Sequence, residues 1–268
     1  MNGCLTLTTD FGLRDPWVAE VKGAVMSVWD RYPGFDGRIF DMGHELPPGD
    51  VPAAGWFLRR AVSCWPTGTV HVVVVDPGVG TERPAVACTT GGSAFVGPGN
   101  GLLSFLAGRD DLEVVVLDKS LYMGSTGNRH VSCTFHGRDV FAPVAAHLAA
   151  GVPLRQVGTP VGPGALGAIP GDASPGETVR IVWIDRFGNA VTDLSRDQGL
   201  ARRVESVGRV LVGGRSIRGP EQAYGLASPG VPFWYWGSGD TLEIAMRDRS
   251  AAKFLGLEVG LVLEVPEA

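Results

Sequence analysis

The chain has 268 residues, 44% of them hydrophobic, and a formal net charge of −5 with no run of Lys or Arg. That length buries a full core in one large or two smaller domains, and the acidic balance excludes the basic footprint of a nucleic-acid binder. No apolar stretch approaches the roughly 20 residues that cross a bilayer and no secretory signal pattern opens the chain, so a soluble cytoplasmic protein is expected, with no membrane partner.

Cys4 to Thr9 reads as a first strand ending at Asp10-Phe11-Gly12, an acid at a strand's carboxyl end. Asp15-Pro16 supplies an N-cap and a first-turn proline for a helix whose Val18, Val21, Val25 and Val28 share one face. Arg38 to Asp41 is a second strand, and Asp50 caps a helix through Trp56, Phe57 and Val62. Val70 to Val75 is the third strand. Its four consecutive valines lack period-two alternation and suit a strand buried on both faces of a parallel sheet. Asp76-Pro77-Gly78 follows at once, either as a plain turn or as the start of a site, since ligands of open α/β sheets sit outside the strands' carboxyl ends.

Ala85 to Cys88 and Ala94 to Val96 are short strands leading to Gly97-Pro98-Gly99-Asn100-Gly101. That turn matches no nucleotide-phosphate motif, and Pro98 removes a donor from it. Glu113 to Leu117 is a further strand, and Arg138 to Ala150 a helix closed by Gly151. From Gly158 to Thr178 the composition turns to Gly, Pro and Ala, as in a linker. The domains are therefore expected at 1–172 and 173–268, with the boundary near Asp172. The expected fold class is an α/β N-terminal domain with a mainly parallel sheet, followed by a smaller all-β C-terminal barrel built from strands at Val179 to Ile184, Arg209 to Val212, Pro232 to Trp236, Thr241 to Ala245 and Leu261 to Val265.

Cys4, Cys64, Cys88 and Cys133 show no C-x-x-C spacing, which argues for isolated small hydrophobes rather than a zinc site or redox motif. Among the histidines, His136 stands out, beside Gly137 and just ahead of a helix start; His44, His71, His130 and His147 lack such a setting, although His44 is close to Asp41. Asp10, Asp41, Asp76, His44 and His136 also compose a possible metal cluster at strand ends, which would make the protein a metal-dependent hydrolase. In the second half, Asp185-Arg186-Phe187-Gly188-Asn189 offers an acid, an aromatic face and an amide suited to a nucleobase and an amino-acid group; alternatively it is a polar turn.

Thr9-Asp10-Phe11-Gly12, Asp76-Pro77-Gly78-Val79-Gly80-Thr81 with Arg83, Gly97 to Leu103, Thr134-Phe135-His136-Gly137-Arg138-Asp139, Asp185 to Asn189 and Leu242-Glu243-Ile244-Ala245 occur in this order. Together they resemble the S-adenosyl-L-methionine hydroxide adenosyltransferases, relatives of the fluorinase and chlorinase, along nearly the whole chain. The resemblance implies hydrolysis of S-adenosyl-L-methionine to adenosine and L-methionine, with that molecule as substrate, no cofactor and no metal. It also implies a homotrimer with sites between the N-domain of one subunit and the C-domain of the next. By the same resemblance Asp76, Arg83 and His136 are catalytic. Asp10 meets the ribose hydroxyls, Phe135 lies against the substrate, Phe187 and Asn189 meet adenine, and Asp15, Asp185, Tyr235 and Ser238 lie at the methionine end.

The halogenases carry a tyrosine at the position of Asp76, and the fluorinase a serine at that of Gly137. A carboxylate repels a halide and a glycine offers it no hydroxyl, so hydrolysis is favoured over halide transfer; the halogenase, the metal-dependent hydrolase and a non-catalytic adenosine binder are the alternatives. The chain departs from the pattern at Met246-Arg247-Asp248-Arg249 and in the bulk of Trp234 and Trp236.

Overall fold

The computed structural model describes residues 2–124, 131–169 and 178–267. The chain forms two compact units, residues 1–170 and 171–268. Asp172, where the boundary is expected, lies outside the described residues, as does His130.

In the first unit β1 (Cys4–Thr9), α1 (Trp17–Trp29), β2 (Arg38–Gly43), α2 (Val51–Ala61) and β3 (Val70–Val74) follow one another. α1 buries Val18, Val21, Ala24, Val25, Val28 and Trp29, the stripe that its valine spacing dictates. Asp15 does not cap it. Pro16 holds the cap position without a side-chain bond, and Asp15 is exposed. Asp50 does cap α2, accepting from the Ala53 amide at 2.9 Å.

β4 (Ala85–Thr90) and β5 (Ser93–Pro98) form a hairpin about Gly91-Gly92, both at positive φ, as a two-residue turn of this hand requires. β6 (Glu113–Val116), α3 (Ala142–Ala149), α4 (Leu154–Val157) and β7 (Thr159–Val161) complete the unit, and a π turn over Gly137–Phe141 leads into α3.

The sheet order is β2-β1-β3-β5-β4-β6-β7. The first three pairings are parallel and the last three antiparallel, so the sheet is mixed rather than mainly parallel. The hairpin is the reason, because β4 reverses the chain before β5 rejoins β3. The stretch expected to be pure linker holds β7, an exposed edge strand beside β6. Every residue of β3 is buried, as the unbroken valine run predicts. Thr9 pairs with Val74, so β1 and β3 end side by side and release Asp10 and Asp76 at the same edge.

The second unit runs β8 (Val179–Ile184), β9 (Ala190–Ser195), α5 (Gly199–Val207), β10 (Arg209–Val212), β11 (Arg215–Arg218), β12 (Pro232–Trp236), β13 (Thr241–Met246), α6 (Ala251–Leu255) and β14 (Val262–Leu263). Its sheet, β10-β11-β12-β13-β9-β8-β14, is also mixed, since β11 and β12 pair in parallel. It nearly closes into a barrel: the Leu211 amide donates to Glu264 O at 2.9 Å and the Glu264 amide returns a bond at 3.0 Å. The unit is not all-β. α5 and α6 bury Ala201, Val204, Ala251 and Ala252 in the core that holds Trp234 and Ile181. Across the described residues no helix is long and apolar enough to cross a membrane.

Candidate active site

Val75 and Asp76 continue β3 past its last ladder pair, and the strand's direction carries the acid out of the core. Asn100 fixes this exit: its amide group donates to Val75 O at 3.0 Å. The surrounding glycines of the 97–101 turn are packed too closely for side chains. A Cβ on Gly97 would lie 2.6 Å from Val73 O, and one on Gly101, at φ +100°, would lie 2.8 Å from Ala168 O. The turn therefore braces β3, and close backbone packing accounts for its glycines.

Arg83 folds back on Asp76. Its Nε donates to Oδ1 at 2.8 Å and its Nη2 to Oδ2 in a bidentate pair. The same Nη2 lies 2.8 Å from His136 Nδ1, and the guanidinium carbon sits 5.4 Å from the centre of the Phe141 ring. One partly buried cation thus joins two side chains 53 and 7 residues distant in sequence. A guanidinium only donates, so Nδ1 is an acceptor and the ring proton of neutral His136 resides on Nε2. Burial, followed by the charge of Arg83, pushes the His136 pKa below its usual 6.5, against opposing pulls from Asp76 and Asp139.

The loop that carries His136 is ordered by Asp139, which is 3% exposed. Its carboxylate accepts from the Ser132 amide at 2.9 Å and from Arg138 at 2.7 and 2.9 Å, and Arg138 also reaches Glu20 at 2.7 Å. The π turn then sets Gly137 against Phe135, Val74 and Phe11, where a Cβ would lie 3.4–3.5 Å from each, in van der Waals contact. An irregular turn of this kind commonly marks a functional position.

Asp76 and His136 open onto a cleft of about 240 Å³ that Asp10, Phe11, Phe135 and Gly137 also line. Phe135 meets Phe11 and Trp17 edge to face at 5.7 Å each, which fixes one apolar wall. Asp10 accepts from the Gly49 amide at 2.8 Å through Oδ2. The structure thus brings together Asp76, Arg83 and His136, with Asp10 and Phe135 beside them, while Asp15 is not a lining residue. Residues that the sequence reading missed are Asn100, Phe141 and the Gly49 amide; the Gly-rich turn signalled the first, and nothing in the local sequence signals the others.

The five-residue metal reading comes apart in the structure. Asp41 pairs with His44 and with Lys22, whereas Asp76 and His136 are joined through Arg83. Among the described residues no three His, Cys, Asp or Glu side chains gather as a metal site requires.

In the second unit the Asp185 carboxylate folds the β8–β9 turn, accepting from the Phe187 and Asn189 amides at 2.9 and 2.8 Å and from Asn189 Nδ2 at 2.9 Å. This leaves Phe187 76% exposed and the buried Asn189 Oδ1 without a hydrogen-bond partner among the described residues. Tyr235 donates to Glu243 at 2.5 Å; burial first, then that bond and the charges of Glu243 and Asp185, raise the phenol's pKa. Ser238 is exposed on the following turn. Met246 to Arg249 form a turn whose Arg247 donates to Gly225 O and Ala227 O, and Trp234 and Trp236 pack in or against the core.

Two family models of the SAM hydroxide adenosyltransferases match the chain, the N-terminal domain over residues 5–158 and the C-terminal domain over residues 179–264. The (R)-S-adenosyl-L-methionine hydrolase of Thermus thermophilus is 39% identical over 260 residues, covering 94% of this chain and 95% of that protein. A fluorinase from Actinoplanes sp. is 29% identical over 177 residues, 59% of this chain and 58% of the fluorinase. Among solved structures, that of an uncharacterized conserved protein from Thermotoga maritima has a TM-score of 0.81 at 30% identity, covering 98% of this chain and 100% of its own. With both domain models matched in order, the chain belongs to the S-adenosyl-L-methionine hydroxide adenosyltransferase family.

Proposed function

We propose that this protein hydrolyses S-adenosyl-L-methionine to adenosine and L-methionine, by nucleophilic attack of water on C5′ of the ribose in line with the departing sulfur. The observation that carries the reading is the Asp76–Arg83–His136 hub at the wall of a cleft that Asp10 and Phe135 also line. As the C5′–S bond breaks and the O–C5′ bond forms, positive charge passes from the sulfonium, which leaves as neutral methionine sulfur, to the attacking water oxygen, so an anionic group that holds the water is stabilising in the transition state.

Lone pairs divide the roles. The Asp76 carboxylate has about four acceptor sites, two of them used by Arg83, so two remain for water. His136 has its one acceptor committed to Arg83, which leaves Nε2–H as a donor to the water oxygen. Asp76 therefore takes or draws the proton, His136 fixes the water, and Arg83 holds both. Two nearby atoms oppose halide transfer: the Asp76 carboxylate repels an anion, and Gly137 supplies no hydroxyl.

Asp10 is assigned to the ribose hydroxyls and Phe135 to the apolar wall. The free ring of Phe187 and the unpartnered Asn189 Oδ1 suit the face and the exocyclic amine of adenine. Asp15, Asp185, Tyr235 and Ser238 are assigned to the methionine end. By the family resemblance, we take the enzyme to be a homotrimer with each site completed by a neighbouring subunit. A cytoplasmic location belongs to the same reading, supported by four free cysteines.

Incubation with S-adenosyl-L-methionine, with and without chloride or fluoride and with and without EDTA, followed by chromatography, tests the reading. Adenosine and methionine in equal amounts are expected under all these conditions. Absence of both products refutes hydrolysis, a 5′-haloadenosine reassigns the reaction, and loss of turnover in EDTA restores the metal-dependent alternative. The relatives' names specify the (R) configuration, and we extend the proposal to that sulfur epimer: with resolved epimers, (R) is consumed faster.

A further inference from the structure

The strand end that presents Asp10 is held by a side chain outside the cleft. His44 is 4% exposed; its Nδ1 is hydrogen-bonded to Thr9 Oγ1 at 2.9 Å, while its Nε2 faces Asp41 Oδ1 at 3.0 Å as a charge contact outside hydrogen-bond geometry. The other oxygen of Asp41 accepts from Lys22 Nζ at 2.7 Å. With a carboxylate facing Nε2, the tautomer protonated there leaves Nδ1 to accept from the Thr9 hydroxyl. Thr9 Oγ1 keeps its lone pairs for the Phe11 amide at 3.3 Å, a side-chain turn that wraps the backbone around Asp10. The His44 carbonyl accepts from the Gly12 amide at 2.7 Å. The backbone on both sides of Asp10 is thus tied to one histidine.

We infer that His44 is a positioning residue which, through Thr9, sets the approach of the Asp10 carboxylate to the substrate's sugar and so controls discrimination between ribose and deoxyribose substrates without touching either. The inference rests on the assignment of Asp10 to the ribose hydroxyls. Its chemistry is general: a site built to accept from a hydroxyl rejects the analogue that lacks it, provided that the acceptor is held in place.

The test compares S-adenosyl-L-methionine with its analogue lacking the ribose hydroxyls, in the wild type, His44→Ala, Thr9→Val and Asp10→Asn. Thr9→Val keeps the buried volume while removing the hydroxyl link, and serves if His44→Ala fails to fold. The wild type is expected to prefer the full substrate by about 10²-fold or more in kcat/KM, and both linker variants to cut that preference roughly tenfold through a higher KM for the full substrate. A residue that merely supported the fold would lower turnover of both substrates alike, so a wild-type preference in either folded variant overturns the inference. If Asp10→Asn keeps the wild-type preference, the ribose assignment itself fails. The positioning claim is then decided by amide exchange at Gly49, whose N–H reports the Asp10 carboxylate: faster exchange in Thr9→Val sustains it and unchanged exchange overturns it.

Discussion

A Cβ placed on Gly80 would overlap the carbonyl oxygen of Cys133, so the loop that carries Asp76 and the loop that carries His136 touch backbone to backbone. Gly80 also sits at φ +78°, a conformation that side chains resist. Gly80→Ala is therefore expected to cost about 1–3 kcal/mol of stability and to part the two loops. A displacement of about 1 Å at the hub lowers kcat about 10²-fold. Steady-state kinetics beside thermal unfolding check this; a variant with wild-type kcat would show that the loop contact does not set the hub.

Arg83 makes a second prediction, about pH. Its positive charge and the burial of His136 both favour the neutral imidazole, so the folded His136 pKa lies below 6.5 and the neutral ring persists as pH falls below that value. Protonation of Nδ1 would break the bond from Arg83, so the acid limb of kcat/KM should lie below pH 6.5. In Arg83→Gln the charge is gone and the limb should move to higher pH, with kcat down by about 10²–10³-fold because the charged donor pair is lost. A limb that stays in place would detach His136 from the pH profile.

How much of this was legible in the sequence depends on the range of the interaction. The buried run ending at Val75, the apolar stripe of α1 and the Asp50 cap follow from local pattern, and the structure has all three. The mixed sheet was legible only through Gly91-Gly92, two glycines between short strands that demand a tight hairpin and hence an antiparallel partner. β7, at the edge of its sheet, and β11, between β10 and β12, were hidden because their mostly exposed residues carry no hydrophobic alternation. Resemblance picked out Asp76, Arg83 and His136. That Arg83 holds the acceptor nitrogen of His136 depends on side-chain directions 53 residues apart, which no local pattern encodes.

A third prediction concerns stability in acid. His71 is 1% exposed, bonded to Thr6 at 2.8 Å and stacked on Phe95 at 4.9 Å, and burial lowers its pKa from 6.5 to about 4. His147, beside Tyr32 and Tyr122, is lowered to about 4 by burial and then by Arg31. Between these values the unfolded chain binds more protons than the folded one. The stability is therefore complete above about pH 6.5 and is lost as pH falls toward 4, on the order of 3 kcal/mol for each histidine. His71→Gln should unfold at a midpoint that depends less steeply on pH over this window. An equal slope would mean that His71 does not titrate with unfolding.

The trimeric reading makes the last prediction. Asp76→Ala removes the hub from the first unit, and Asn189→Ala removes the acceptor assigned to adenine from the second, so on this reading each variant alone should lose most activity. If every site joined the two units of one subunit, mixed oligomers would contain no intact site, whatever their composition. If each site joins the first unit of one subunit to the second unit of its neighbour, a junction is intact when an Asn189→Ala chain supplies the hub and an Asp76→Ala chain supplies the acceptor. In a cyclic assembly of equally co-expressed chains that occurs at about one junction in four. Co-expressed and co-purified variants should then recover about a quarter of wild-type turnover, and light scattering should give three chains per particle. Recovery no greater than that of the separate variants would place each site within a single subunit.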